Sequence, residues 1–135
     1  MNEEQTRFAA EPNIAVFASV DRKGRPHATP VWYLFDGGEF RISVGNGSQK
    51  HGNIEANPEV TLVIDKRDLP PYALMISGRA EVGPTLSDDE RLQLATRYLG
   101  EQIGRSYVGS TAGEDTVTIH LKPRKVMEFD PTMRL

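Results

Sequence analysis

Alternation of apolar and polar residues is the clearest pattern along this 135-residue chain, and it predicts a β-rich protein. In Glu39–Val44, three apolar residues alternate with three polar ones, which is the two-residue period of a half-buried strand. Ile14–Val20 is more continuously apolar and suits a well-buried strand. The pattern predicts six strands, with Val126–Phe129 as a candidate to finish the sheet: Ile14–Val20, His27–Phe35, Glu39–Val44, Glu59–Asp65, Ala73–Val82 and Thr116–Leu121.

Helical segments are recognised mainly by their ends. Ser48 is a suitable N-cap, and its helix should end before Pro58. Ser87, with Glu90 three residues later, forms a capping-box pattern, and Gly100 is placed as the C′ residue of the same helix. The predicted helices are Glu3–Ala10, Ser48–Ala56, Ser87–Leu99 and a further helical turn over Glu101–Tyr107.

Short turns join most of the strands. Asp21–Gly24 and Asp36–Gly38 are tight turns of the kind that connect neighbouring antiparallel strands. Hairpins therefore dominate, and a closed or half-open antiparallel barrel would remove the exposed sheet edges. Gly78 lies inside a predicted strand, where it indicates a bulge or a close backbone approach. The length fits one domain over residues 1–135.

Two polar segments, Lys66–Tyr72 and Gly109–Asp115, are predicted to be loops because they carry prolines or glycines and lack periodicity. Arg91 and Arg97 are predicted to lie on the solvated face of the third helix. Arg105 and Tyr107 lie near the second of these loops, where they could close over a ligand.

Composition narrows the function classes. A net charge of -3 and a pI near 5.6 argue against nucleic-acid binding driven by bulk charge. Cysteine is absent, which excludes disulfides and thiolate chemistry, and no histidine or carboxylate cluster has metal-ligand spacing. The acidic N-terminus is unlike a secretory signal, and no apolar run is long enough to span a membrane. We therefore expect a cytoplasmic protein that binds neither nucleic acid nor membranes.

One Gly-rich turn has the features of an anion site. A helix N-terminus presents free N–H groups and the positive end of the helix dipole, and glycines let a phosphate approach the backbone. A lysine in the first helical turn opposes the dipole unless an anion is present. A capped surface helix with a solvated lysine explains the same spacing. The residues concerned are Gly45, Gly47, Ser48, Gln49, Lys50 and Asn53.

A second candidate lies in the strand that contains Pro30. Because proline cannot donate to a sheet ladder, Pro30 indicates an edge, a bulge or an opening of the strand. Backbone groups left free there could bind the polar edge of a flat ring, and Trp32 could stack against that ring or wall its pocket. An edge-strand proline with a core tryptophan is the alternative. His27 and Thr29 share one side of this strand, and His27 has no partners spaced for nucleophilic catalysis.

The ordered series of short elements resembles the pyridoxamine 5′-phosphate oxidase-like split-barrel superfamily. Within it, the chain is most similar to the small oxidoreductases that use the deazaflavin coenzyme F420 or FMN. The elements are Arg25-Pro26-His27, Thr29-Pro30-Val31-Trp32-Tyr33, Asp36-Gly37, Ser48-Gln49-Lys50, Asn53, Asn57-Pro58-Glu59-Val60 and Gly78-Arg79-Ala80-Glu81-Val82.

The resemblance implies a homodimer of six-stranded antiparallel split barrels with peripheral helices and a cofactor groove at the dimer interface. Ser48, Gln49, Lys50 and Asn53 would hold the phosphate-bearing tail of the cofactor. The ring and its ribityl chain would lie along Thr29–Trp32, Ser43 and Val44. The complete implied cofactor-binding set is His27, Thr29, Pro30, Val31, Trp32, Ser43, Val44, Gly45, Ser48, Gln49, Lys50 and Asn53.

By this resemblance, the chain is an F420-dependent oxidoreductase that transfers hydride to an activated small organic substrate. Alternatives are an FMN-dependent oxidoreductase, a flavin- or haem-binding split barrel without turnover, and a dimeric structural protein. The substrate-phosphate residues of the longer vitamin B6 oxidases are not found near the C-terminus, which argues against pyridoxamine phosphate oxidation. No catalytic residue and no metal site are assigned.

Overall fold

Eight strands form one curled antiparallel sheet in the computed structural model, which describes residues 1–134. The strands are β1 (Ala15–Val20), β2 (Pro26–Val31), β3 (Leu34–Asp36), β4 (Glu39–Gly45), β5 (Glu59–Asp65), β6 (Ala73–Gly83), β7 (Thr116–Leu121) and β8 (Lys125–Phe129). The helices are α1 (Glu3–Ala9), α2 (Gln49–Ala56), α3 (Asp88–Leu99) and α4 (Glu101–Ser110), and a 3-10 turn covers Pro131–Arg134. The predicted split-barrel class is confirmed, with eight strands rather than six.

The long strand β6 joins the two halves of the sheet. Its Ala73–Arg79 portion pairs with β5, and Ala73–Ser77 also pairs with β8. Its remaining portion, Ala80–Gly83, pairs with β7. The resulting strand order is β2-β1-β5-β6-β7-β4-β3, with β8 beside β6, so β2 and β3 are the two ends of this path.

Gly78 lies next to the point where β6 changes partners. A Cβ atom at this position would lie 2.6 Å from the carbonyl oxygen of Lys122 and 2.9 Å from Cδ1 of Leu121. The predicted close backbone approach is therefore confirmed, and it occurs where the chain leaves β7 and crosses over β6.

The core fills the curl of the sheet. As the alternation predicts, Phe40, Ile42 and Val44 of β4 point inward, and Phe40 packs against the rings of Tyr33 and Phe35. The other fully buried large apolar side chains come from β1, β5, β6 and β7: Phe17, Leu62, Ile64, Leu74, Ile76, Ile119 and Leu121. Helix α2 contributes Ile54 to the same core.

The predicted continuous strand His27–Phe35 is wrong. The chain breaks at Trp32 and Tyr33, so that β2 and β3 lie at opposite ends of the strand order. The physical reason is tertiary: Tyr33 is fully buried and its hydroxyl donates to the carbonyl of Ala9 at 2.8 Å, while Trp32 turns to stack on Tyr98 of α3. A local sequence pattern cannot predict these contacts, because they join residues that are far apart along the chain.

Helix α3 begins as predicted, with Ser87 and Glu90 forming both capping-box hydrogen bonds. It ends at Gly100, whose φ of 82° suits glycine. Helix α4 is longer than the predicted turn, reaches Ser110, and shortens the loop that was expected from Gly109. The two helices pack closely at Gly104, where a Cβ atom would lie 3.0 Å from the backbone nitrogen of Thr96.

Arg97 does not lie on a solvated face, so that prediction is wrong. Its guanidinium donates to the carbonyls of Ala10 and Glu11, each at 2.7 Å, and to that of Ala9 at 3.3 Å. It also lies over the Tyr33 ring, 4.9 Å from the ring centroid. Arg97 thereby ties the end of α1 to α3. No helix within residues 1–134 is long and apolar enough to cross a membrane.

Candidate functional site

A cavity of about 750 Å³ lies between the sheet and the helical pair α3–α4. The ends of β2 and β4 form one side, the start of α2 forms one end, and α3 with α4 covers the other side. Eight of the twelve residues predicted to bind a cofactor line this one cavity: Pro30, Val31, Trp32, Ser43, Val44, Gly45, Ser48 and Lys50. The structure thus brings together the Gly-rich turn at the start of α2 and the strand that contains Pro30, which the sequence analysis treated as separate candidates.

The start of α2 gives the cavity a positive end. Ser48 is the N-cap, as predicted, and its side chain accepts a hydrogen bond from the N–H of His51 at 3.4 Å. Within residues 1–134, the N–H groups of Gln49 and Lys50 meet no acceptor, and Lys50 forms no ion pair. Free N–H groups, the helix dipole and an ammonium at one place favour an anion.

Aromatic side chains form another part of the cavity wall. Trp32 stacks on Tyr98 with ring centroids 5.1 Å apart and planes within 6°. Tyr107 of α4 approaches the same indole at 5.4 Å and is 43% exposed. The hydroxyl of Tyr98 donates to the carbonyl of Asn13 at 2.8 Å and so anchors the stack. The wall is therefore flat, apolar and fixed on its Tyr98 side, which suits a planar ring.

Pro30 confirms the edge-strand interpretation. Strand β2 pairs only with β1 among the described strands, so alternate backbone groups of β2 face away from the sheet. Pro30 itself is exposed and has no N–H to offer a further strand. The free edge runs directly into the cavity at Val31 and Trp32, where backbone N–H and C=O groups can bond a ligand.

Apart from Tyr107, the residues that α3, α4 and the following loop contribute were not predicted. Arg91, expected on a solvated face, instead lines the cavity and donates to the carbonyl of Val108 at 3.3 Å and to Oγ1 of Thr111 at 2.9 Å. Glu114 and Asp115 also line the cavity. Their placement depends on how α3 packs against α4, and no sequence signal marks it except the position of Tyr107 near a loop.

Four predicted residues lie outside this cavity. His27 bonds the Asp21 carboxylate at 3.0 Å, and the Thr29 hydroxyl is buried without a partner in the described chain. Asn53 is buried, donates to Oγ of Ser19 at 3.1 Å and accepts from the Gln49 amide at 2.6 Å. Gln49 and Asn53 therefore fasten α2 to β1.

A second hollow of about 280 Å³ lies beside α2. Its walls are the turn between β1 and β2 and one face of α2, namely Asp21, Arg22, Lys23, Arg25, Gln49, Gly52 and Asn53. The Asp21 carboxylate accepts from the N–H groups of Lys23 and Arg25, at 2.9 and 3.0 Å, and from the Arg25 side chain at 2.8 Å. Chiefly the hydrogen bond to His27, and then that from the Arg25 backbone, hold the pKa of Asp21 well below its usual range.

The three histidines of the chain all have other partners. His27 bonds Asp21, His51 bonds Glu55 at 2.8 Å, and His120 bonds Glu39. None of the three lines the main cavity. An axial haem ligand in that cavity would therefore have to come from another residue type, which disfavours haem binding there.

Comparison with known proteins agrees with this architecture. Residues 1–131 match the pyridoxamine 5′-phosphate oxidase family model, and the chain therefore belongs to this family. A curated pyridoxine/pyridoxamine 5′-phosphate oxidase of Rubrobacter xylanophilus is 35% identical over 95 residues, which cover 70% of this chain and 42% of that protein. The chain thus aligns with less than half the length of this relative.

Solved structures share the fold. A conserved hypothetical protein of Mycobacterium tuberculosis superposes with a TM-score of 0.79 at 21% identity, covering 100% of this chain and 89% of that one. An F420 reductase superposes with a TM-score of 0.76 at 25% identity, covering 94% and 98%. A haem storage protein of Vibrio cholerae reaches 0.68 at 20% identity, covering 93% and 91%. The fold is therefore shared by proteins described with different ligands.

Proposed function

We propose that this protein is an F420-dependent oxidoreductase that transfers hydride between the deazaflavin and an activated small organic substrate, with FMN as the alternative cofactor. The observation that carries the proposal is that one cavity is lined both by an anion-binding helix start and by an aromatic wall. The F420 reductase among the structural neighbours supports the choice of cofactor.

The residues present fit a phosphate-bearing ring cofactor. Ser48, Lys50 and the free N–H groups at the start of α2 would hold the phosphate. Ser43, Val44 and the free edge of β2 from Pro30 to Trp32 would border the ring and its chain. The cavity volume of about 750 Å³ lies within the range of about 300–1,000 Å³ that is typical of ligand pockets.

The bound cofactor would supply the hydride chemistry, so the protein needs no nucleophile of its own. The protein itself would orient the cofactor and the substrate and exclude water from them. Trp32, fixed by Tyr98, limits the tilt of a flat ring, and the helices α3 and α4 cover the cavity from solvent. Tyr107 of α4 and Glu114 of the following loop line the cavity and could pass a proton to a substrate. Asp115 also lines the cavity, beside the turn before α2, where its carboxylate accepts from the Asn46 amide at 3.2 Å.

We also propose that the working form is a homodimer. The outer face of the sheet carries an apolar row five strands wide, in which residues directly opposite one another are Pro30, Val16, Val63, Met75 and Met127. Val16 is 38% exposed and Met127 is 51% exposed. A continuous apolar row on one sheet face favours a second sheet packed against it. Because Pro30 also lines the cavity, the partner subunit would border the cofactor site.

Val16→Asp is expected to convert the dimer to a monomer, because it places a carboxylate within the apolar row that the dimer would bury. Size-exclusion chromatography with light scattering measures the change. Ile103→Asp is the matched control, since Ile103 is 62% exposed but lies on α4 and not in this row. Equal masses for wild type and Val16→Asp, whether both monomeric or both dimeric, would contradict this interface.

Lys50→Ala is expected to weaken F420 binding about 10- to 100-fold, the usual loss when a charge-assisted phosphate contact is removed. Titration of the apo protein, followed by deazaflavin fluorescence, measures the dissociation constant. Lys66→Ala is the control, because Lys66 is also half-buried but lies in the loop before β6. An unchanged affinity in Lys50→Ala would show that the start of α2 does not hold the phosphate.

A further inference from the structure

His51, in the first turn of α2, has a hydrogen-bond partner at each of its ring nitrogens. Nδ1 accepts from the N–H of Gly47 at 3.0 Å, and Nε2 bonds Oε1 of Glu55 at 2.8 Å. Because a backbone N–H can only donate, Nδ1 carries no proton, and the proton on Nε2 is donated to Glu55. The side chain is 15% exposed. The ring is therefore held in one tautomer between the Gly-rich turn and the next turn of α2.

The Gly-rich turn that His51 contacts ends at Ser48, which lines the main cavity. Gly47 comes directly before Ser48 and has a φ of 78°, in the left-handed region that favours glycine. Since glycine loses more conformational freedom on ordering than any other residue, its conformation depends on the bonds made to it. The N–H of His51 also donates to Oγ of Ser48, at 3.4 Å. The ring and the backbone of His51 thus fix two neighbouring residues of the turn.

The conformation of this turn determines which N–H groups remain for a ligand. The N–H of Gly47 is taken by His51, and that of Ser48 is bonded within the turn. The next two N–H groups, those of Gln49 and Lys50, meet no acceptor within residues 1–134. Because the helix opens at Ser48, the backbone of the turn sets the direction in which these two free N–H groups point.

We propose that His51 is a positioning residue for the phosphate of the cofactor, and that it acts through Gly47 without contacting the ligand. This inference rests on the proposed function, which places the phosphate at the start of α2. His51 does not line the main cavity, so its effect on a ligand there has to pass through the turn. Without an acceptor at Nδ1, the turn gains other conformations, and the free N–H groups no longer converge on one phosphate. The aromatic wall does not depend on His51, so binding of the ring is unaffected.

Two substitutions separate the two bonds of the imidazole ring. In His51→Asn, Oδ1 is bonded to Cγ, as Nδ1 is in histidine, so it can accept from Gly47, but the side chain is too short to reach Glu55. In His51→Gln, the amide nitrogen reaches the position of Nε2 and keeps the bond to Glu55, but no acceptor stands at the position of Nδ1. Glutamine is the better helix former of the two. Helix stability alone therefore predicts the opposite order of affinities to the one that the Gly47 bond predicts.

The ligands are F420 and FMN, each compared with the molecule that has the same ring but no phosphate, which is the phosphate-free deazaflavin or riboflavin. Quenching of the single tryptophan, Trp32, measures the dissociation constants. In His51→Gln, the constants for the phosphate-bearing ligands are expected to rise about five- to tenfold, the usual effect of losing one hydrogen bond. The constants for the phosphate-free ligands should stay unchanged, and His51→Asn should bind all four ligands as wild type does.

Equal affinities in the two variants, or an equal loss with and without phosphate, would overturn the role of His51 while leaving the proposed function standing. Failure of wild type to bind either phosphate-bearing ligand would overturn the proposed function and this inference with it. A second measurement needs no ligand: in the apo protein, the nitrogen chemical shifts of the His51 ring should show a proton on Nε2 and none on Nδ1. A proton on Nδ1 would exclude the bond from Gly47 and would overturn the inference.

Discussion

Gly78→Ala is expected to lower the free energy of unfolding by about 2–3 kcal/mol, near the upper end of the usual cost of overpacking. The added methyl group would meet the Lys122 carbonyl at 2.6 Å, and that oxygen belongs to backbone that cannot rotate away. Relief would require β6 to separate from the chain that follows β7, which is where the two halves of the sheet meet. Urea unfolding, followed by the fluorescence of the single tryptophan, measures the change.

Gly113→Ala is the control for this experiment. A Cβ atom at Gly113 meets nothing within 4 Å, and the backbone there does not have a positive φ. Its free energy of unfolding should stay within about 0.5 kcal/mol of wild type, as for ordinary surface substitutions. If the two variants were equally stable, close packing at Gly78 would not be the reason why glycine is needed there.

Arg97→Met is expected to cost about 2 kcal/mol, because three carbonyls at the end of α1 lose their charged donor while the apolar stem is kept. Arg105→Met is the control: Arg105 is on α4, its side chain is 64% exposed, and its pair with Glu101 is of the weak surface kind. Thermal and urea unfolding compare the two variants with wild type.

A second measurement separates loosening of α1 from general destabilisation. Trypsin can cut after Arg7, which is exposed on α1, once that helix leaves the sheet. Cleavage at Arg7 should be faster in Arg97→Met than in Arg105→Met under conditions where both remain folded. Equal cleavage rates together with equal stabilities would show that Arg97 does not hold the N-terminal helix.

Much of the sheet could be predicted because local patterns of apolar and polar residues mark its strands. The alternation in β4 and the apolar run of β1 gave their strands nearly to the residue, and the Ser87–Glu90 capping box placed the start of α3. The break between β2 and β3 could not be predicted, because it depends on the Tyr33 contact with Ala9 and on the Trp32–Tyr98 stack. Both contacts join residues that are far apart along the chain.

The candidate site, like the sheet, could be predicted where the local sequence marks it and not where it depends on contacts between distant residues. Ser48 and Lys50 were marked by glycines and by a cation in the first helical turn, and Pro30 was marked by its missing N–H. No local sequence pattern marked the side of the cavity that α3 and α4 form. Arg91, for example, is held there by its contacts with Val108 and Thr111, which are distant along the chain. Whether Gln49 and Asn53 contact a phosphate stays a prediction, since their amides bond each other and neither residue lines the main cavity.

Side-by-side titration of the wild-type apo protein with F420 and with FMN tests the central claim most directly. Trp32 is the single tryptophan and lines the cavity, so quenching of its fluorescence reports occupancy of this site independently of turnover. The account predicts saturable quenching by F420 at lower concentration than by FMN. Tighter binding of FMN would contradict the choice of cofactor, and quenching by neither would contradict the claim that this cavity holds a phosphate-bearing ring.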